Sequence, residues 1–365
     1  MSQQHHPAAA ARPGHRWYFY PGILLLVLAV LAGGFLGFLT VTEYRPEAVE
    51  PALAGEPNNC PVLDQEEIRI LSFNTGYASL GMESDFLLDG GQGTGMQDRM
   101  TVEANMNGIS DLLAETDADF YMLQEVDLDS RRTFGIQQLD AYAQVLAQHQ
   151  WFYAPNFLCS FVPYPIQAPF GQINSGIATY SRYQVAQASR IRLPNPFSWP
   201  VRTANLKRCM LVTRIPMEGT DAQLVVVNFH LEAYDDGAGK AAQTQQLFSL
   251  LEEEYARGNY VIAGGDFNQI FPGVETDLKP TSEWVPAPLD PLPPSLEGWR
   301  YAYDDTVPTC RLLNQPYDPE DPRTQYYVID GFIVSPNLEI RNVQTLSREF
   351  VFSDHNPVVM EVAFR

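Results

Sequence analysis

Nine residues of this 365-residue chain form a candidate reactive set: Asn74, Glu125, Asn174, His230, Asp266, Asn268, Asp330, Asp354 and His355. All are amides, carboxylates or imidazoles lying beside short apolar runs. The set is rich in hard oxygen donors, has no CxxC thiolate pair and is accompanied by no glycine-rich phosphate loop, so it suits a hard divalent cation handling a phosphoryl group. A cation and neutral donors offset charge on phosphate oxygens, while a carboxylate near an imidazole directs proton transfer. Each residue taken singly is more readily read as a turn former or cap. The reading therefore rests on the set.

Two strand–helix–strand units must position these residues. In the first, Ile68–Phe73 is a strand-like run ending at Asn74. Apolar Val102, Met106, Ile109, Leu112 and Leu113 then recur at helical spacing, and Phe120–Leu123 delivers Gln124 and Glu125. In the second, Leu224–Val227 leads to His230, a helix runs from about Lys240 to Arg257, and Tyr260–Ala263 leads to Gly264-Gly265-Asp266-Phe267-Asn268. Strand exits in α/β sheets are where ligand clefts form. Further strands are expected at Ile177–Tyr180, Met210–Thr213, around Tyr326–Val334 and at Val358–Phe364. The proline-rich segments 161–172 and 284–294 read as rim loops. Each unit needs one sheet face covered by a helix and the other by a second sheet, which predicts an α/β fold: a four-layered α/β/β/α sandwich of two packed mixed sheets.

From Ile68 to Phe364 the order of motifs resembles the endonuclease/exonuclease/phosphatase superfamily. The motifs are the strand-end Asn74, Gln124-Glu125, Asn174-Ser175-Gly176-Ile177-Ala178, His230, Gly265-Asp266-Phe267-Asn268, Ile329-Asp330 and Ser353-Asp354-His355. The resemblance implies that Glu125 is the main metal ligand, completed by Asn74 and Asp354, and that Mg²⁺ is the cofactor, with Mn²⁺ or Ca²⁺ as alternatives. It implies that Asp266 orients or activates the attacking water and that Asn268 and Asn174 hold phosphate oxygens. His355, oriented by Asp330, would lie against the phosphate, and His230 would contact the phosphate or protonate the leaving group from the other side. Where many members carry an Arg before a Gln on the following helix, this chain has Lys240 and Gln243; Lys240 reads first as a surface residue. The segment from Asp85 to Gly95 reads as an irregular surface loop before a substrate lid. Trp199, Trp284 and Trp299 read as covers of a core edge before lipid or ligand contacts.

Residues Trp17–Thr42 contain no charge and exceed the ~20 residues that cross a bilayer. They are expected to form a transmembrane helix, although Ala52-Leu53-Ala54 imitates a signal-peptide cleavage site. Arg12 and Arg16 precede the segment without acids, which places residues 1–16 in the cytoplasm and the large domain outside, a single-pass membrane protein. Residues 43–66, rich in Pro, Ala and Glu, read as a tether without folded elements, and 67–365 as the catalytic domain. Cys60, Cys159, Cys209 and Cys310 admit disulfides or buried thiols equally.

The net charge of −21 repels polyanions and disfavours tight, sequence-independent nucleic-acid binding. The expected partner is a small-molecule or lipid-borne phosphate ester, with the membrane reached through the N-terminal helix; no protein partner is inferred. A nuclease is the enzyme alternative, and an inactive binding protein on the same fold is the alternative of another class.

Overall fold

The computed structural model describes residues 19–56, 59–235, 237–280 and 284–365. Arg12 and Arg16, on which the orientation reading rests, and Trp17, where the expected span begins, lie outside the described residues. Phe19–Val41 is one α-helix without charged residues. Its 23 residues rise about 35 Å at 1.5 Å each, long enough to cross a bilayer's ~30 Å hydrocarbon layer.

Glu43–Arg365 folds separately around two seven-stranded mixed sheets. The first has the order Val49–Pro51, Gln187–Arg192, Cys209–Pro216, Gln223–His230, Tyr260–Asp266, Asp330–Val334, Arg300–Ala302. The second runs Leu338–Thr345, Val358–Phe364, Glu67–Asn74, Phe120–Asp127, Gly171–Ser181, Gln150–Val162, Leu53–Ala54. Each sheet has a parallel pair at its centre: Tyr260–Asp266 beside Gln223–His230, and Glu67–Asn74 beside Phe120–Asp127. The crossovers of these pairs contain the helices Ala238–Ala256 and Arg99–Thr116, because a parallel return must travel back over the sheet.

Alternation along the strands assigns the layers. Ile70, Phe120, Met122, Val226, Ile262 and Phe332 fill the space between the sheets. Their neighbours Leu71, Tyr121 and Leu123 face Val102, Ile109 and Leu113 of one helix. Val225, Val227, Val261 and Ala263 face Leu247 and Leu251 of the other. A side-chain period of two on strands and 3.6 on helices yields four layers, as the sequence predicts.

The tether reading is corrected at residues 43–54. Val49–Pro51 joins the first sheet against Ser189–Ile191, and Leu53–Ala54 joins the second against Phe152–Tyr153. Both strands are too short to show a hydrophobic period, and Pro51 is tolerated because the strand lies at an edge. Glu50 lies 3.6 Å from the fully buried Arg190, and the Tyr44 hydroxyl donates to Glu50 at 3.0 Å. The folded unit thus starts near Glu43, not Glu67. All four cysteines are buried free thiols. Trp299 is buried, Trp284 packs edge-on against Tyr327, and Trp199 is 52% exposed.

A chain beginning at Glu43 is expected to fold, whereas one beginning at Glu67 loses both edge strands and strips Arg190 of its carboxylate. The second should be less stable by on the order of 2 kcal/mol or more, discounted from the cost of breaking a fully buried pair because Glu50 is partly exposed. Urea midpoints of the two chains measure the difference.

Candidate active site

Backbone register alone aligns three of the reactive groups. At the exits of adjacent parallel strands His230 pairs with Asp266, and Asp266 pairs with Asp330 at the start of the antiparallel strand on its other side. Gly265 permits this closeness: at its φ of +149° a Cβ would lie 1.9 Å from the Phe229 carbonyl oxygen. In the facing sheet Asn74 pairs with Gln124. The next residue, Glu125, sits in a β-bulge between Leu123 and Val126 with φ +58°. The bulge re-aims its carboxylate at the cost of a conformation non-glycine residues rarely adopt.

Asp266 is the hub. Its Oδ1 accepts from the Asn268 amide at 2.8 Å and its Oδ2 from Asn74 Nδ2 at 3.1 Å. His230 Nε2 lies 3.4 Å and His355 Nε2 3.8 Å from the same Oδ2. His230 Nδ1 lies 3.9 Å from Glu125, and His355 Nε2 4.0 Å from Asp354. The Asp330 carboxylate holds His355 Nδ1 at 2.8 Å, while the Thr309 hydroxyl accepts from the amides of Ile329 and Asp330. Ser353 ties the closing loop to the first strand by donating to the Asn74 carbonyl at 2.8 Å and accepting from the His355 amide at 3.2 Å.

The structure therefore joins eight of the nine residues read from sequence through side-chain or backbone contacts, and Asn174 stands on the neighbouring strand. It lies half-buried on the strand beside Glu125's, its carbonyl accepting from Leu128 and its amide donating to Ser130. Among the described residues its side chain makes no hydrogen bond to the cluster.

The electrostatics are set by crowding. Burial, and then the nearby Asp354, push the Glu125 carboxyl well above the usual carboxylate range, although its side chain keeps 14% exposure. Burial likewise raises Asp354 and Asp330, with His355 opposing. Burial, Arg208 and His355 push His230 well below its usual value, leaving it neutral. Burial also works against a charged His355, but Asp330, Cys310 and Asp354 outweigh it and hold the ring protonated. Buried carboxylates disfavour their own ionisation unless a positive charge sits among them.

The donor chemistry fits a hard cation: carboxylate oxygens of Glu125 and Asp354 and the amide of Asn74 are its preferred ligands. Two other groupings, Asp266 with Asp330 and His355, and Cys310 with Asp354 and His355, place potential ligand atoms within 4.8 Å. Both depend on His355, whose Nδ1 is already engaged by Asp330, and a protonated imidazole does not ligate.

Several contributors escaped the sequence reading. Asn228 accepts from Gln124 Nε2 at 2.8 Å and donates to the Ala178 carbonyl at 2.8 Å, bolting the two sheets together beneath the site. Its one signal is an amide within the apolar strand Leu224–Phe229. Arg132 grips Asp127 through two bonds of 2.9 and 3.1 Å with its guanidinium 3.4 Å from the centre of the Tyr77 ring. Lys240 is corrected: it is buried, with Nζ 3.3 Å from the Asn268 carbonyl, because its helix begins directly beneath the site. The Asp85–Gly95 segment is also more than a surface loop, since buried Asp89 accepts from the Tyr234 hydroxyl at 2.8 Å.

Hard oxygen donors beside an imidazole held by a carboxylate, at the strand exits of a double-sheet sandwich, define a hydrolase fold suited to phosphoester bonds. The chain belongs to the endonuclease/exonuclease/phosphatase family, whose sequence model matches residues 102–355. A crystal structure of an endonuclease/exonuclease/phosphatase from Beutenbergia cavernae DSM 12333 is 16% identical, covers 82% of this chain and 72% of its own, and superposes with a TM-score of 0.55. A Bacteroides vulgatus endonuclease/exonuclease/phosphatase gives 14%, 82%, 100% and 0.52. TDP2 from Caenorhabditis elegans gives 16%, 83%, 76% and 0.51. At these identities the likeness speaks for the fold alone. No curated protein matches the sequence.

The raised Glu125 carboxyl has a thermodynamic consequence that requires no substrate. Because the folded chain binds this proton more tightly than the unfolded chain, its contribution to stability is present below the ordinary glutamate pKa of about 4.3 and is lost as pH rises above it. Without divalent cations, stability should therefore fall between mildly acidic and neutral pH. Glu125→Gln should flatten that fall and reduce the rise in Tm on adding Mg²⁺, both read by calorimetry.

Proposed function

We propose that the chain is a divalent-metal-dependent hydrolase of a phosphate ester or phosphodiester, acting outside the cytoplasm on a small or lipid-borne substrate. The observation supporting this most directly is the convergence of Asp266, Asp354 and the Asp330–His355 pair in one buried cluster, to which Glu125 is joined through His230. Glu125, Asn74 and Asp354 would hold Mg²⁺, which when bound offsets phosphate charge and favours attack by water.

The remaining residues divide the work. Asp266 is positioned to orient the attacking water and accept its proton, being fixed on one oxygen by the Asn268 amide and on the other by Asn74. Protonated His355 presents Nε2 towards a non-bridging phosphate oxygen while Asp330 fixes its ring. Neutral His230 contacts the phosphate or relays a proton to the leaving group from the opposite side, and Asn268 and Asn174 supply neutral donors to phosphate oxygens. The acidic surface and the apolar helix support a small or lipid-borne ester over a nucleic acid. Retention of every expected reactive residue speaks against an inactive binding protein.

Glu125→Gln should retain the fold and lower Mg²⁺-dependent turnover by on the order of 100-fold or more, since one ligand charge acts directly on the transition state. Wild-type turnover and metal dependence in the folded variant would defeat the ligand assignment. A panel of single-stranded DNA, phospholipids and inositol phosphates distinguishes the substrate classes.

Asp330→Asn, His355→Ala and their double variant test the pair. Residues that act as a unit lose activity non-additively, so the double variant should be little worse than His355→Ala. Fully multiplicative losses in kcat would separate the two.

A further inference from the structure

Between Asp140 and Glu218 the chain has no aspartate or glutamate, although it carries 44 overall and a net charge of −21. The same stretch holds seven Lys or Arg. Four serve internal roles: Arg182 pairs with Asp117 and Asp119, Arg190 is buried, Arg208 faces Glu232 and Arg214 pairs with Glu254. The other three converge on one short segment. Arg192 donates to the Pro46 carbonyl at 3.2 Å, while Arg202 and Lys207 lie 3.3 and 3.5 Å from the Glu43 carboxylate.

Glu43 stands two residues beyond Val41, the last residue of the apolar helix. Two residues span at most about 7 Å. The Arg202–Lys207 loop is thus tied to a residue that follows the apolar helix by only two positions.

The tip of this loop is built to protrude. Ser198, Trp199, Pro200, Val201 and Arg202 are all exposed, Trp199 at 52% and Val201 at 57%. A short 3₁₀ turn over Val201–Ala204 braces them, with the Thr203 hydroxyl donating to the Pro200 carbonyl at 2.7 Å. An indole and a valine held outwards, with Arg202 and Lys207 at their base sharing the single carboxylate of Glu43, match the membrane–water interface, where aromatic rings and snorkelling cations settle.

We propose that the Ser198–Arg202 tip docks into the anionic headgroup layer of the bilayer that the N-terminal helix enters, a proposal that rests on the membrane-anchor reading. The docked loop continues directly to the reactive cluster. Arg208 Nη1 lies 3.4 Å from the His230 carbonyl, and Gln243 donates to the Pro194 carbonyl at 2.8 Å. Docking would thus brace the His230 side of the site from the bilayer surface, which favours a lipid-borne phosphoester over a freely diffusing one.

The test uses the full-length chain carrying Trp17→Phe, reconstituted in phosphatidylcholine vesicles with or without phosphatidylglycerol, the lipids brominated close to the headgroup. Brominated lipid should quench tryptophan emission, Trp199→Phe should remove most of that quenching, and phosphatidylglycerol should strengthen it. If the chain resists alkaline carbonate extraction yet Trp199→Phe leaves the quenching unchanged, docking is overturned while the anchor stands. Quenching that is indifferent to phosphatidylglycerol overturns the anionic surface. Release of the chain by alkali instead overturns the anchor reading, and docking with it.

Discussion

Crowding of acidic groups in a space with little water governs this structure. Glu125, Asp266, Asp330 and Asp354 meet around two imidazoles, and unit charges 4 Å apart interact by about 4 kcal/mol at an effective dielectric near 20. The two histidines differ for that reason. Burial disfavours charge on both rings, but His355 is enclosed by Asp330 and Asp354 and keeps its proton, whereas His230, with Arg208 nearby, does not. A donor and a neutral acceptor are thereby created from the same side chain, and the carboxylates left unbalanced call for a cation.

The scaffold holds these groups by backbone means first. Two strand exits and the start of an antiparallel neighbour set His230, Asp266 and Asp330 side by side, and one bulge holds Glu125. Polar side chains then lock the sheets. The Gln124–Asn228 bond crosses the sandwich directly below the site, where an unsatisfied amide would be costly, so the two sheets are held in one relative position. Thr309 and Ser353 perform the same service for the strands and loops of Asp330 and His355.

The elements that carry the cluster were legible in the sequence because their signals are local. Short apolar, β-branched runs at Ile68–Phe73 and Leu224–Val227, helical spacing from Val102 to Leu113, and polar residues beside them are all local features of the chain. The identities of the reactive residues were legible for the same reason: Asn74, His230 and Asp266 end apolar strands, Glu125 follows the apolar run Phe120–Leu123, and Asp330 opens the strand Asp330–Val334. What only the tertiary structure decided depends on partners distant in the chain. Val49–Pro51 and Leu53–Ala54 become strands because other strands offer them edges, not because of their own pattern. Lys240 is buried and Trp199 exposed according to what packs beside them. The protonation of His355 likewise follows from Asp330, Cys310 and Asp354 being folded around it. Local periodicity determines which segments form strands and helices and which residues stand at their ends; burial and charge proximity are sums over the whole fold, and no single segment contains them.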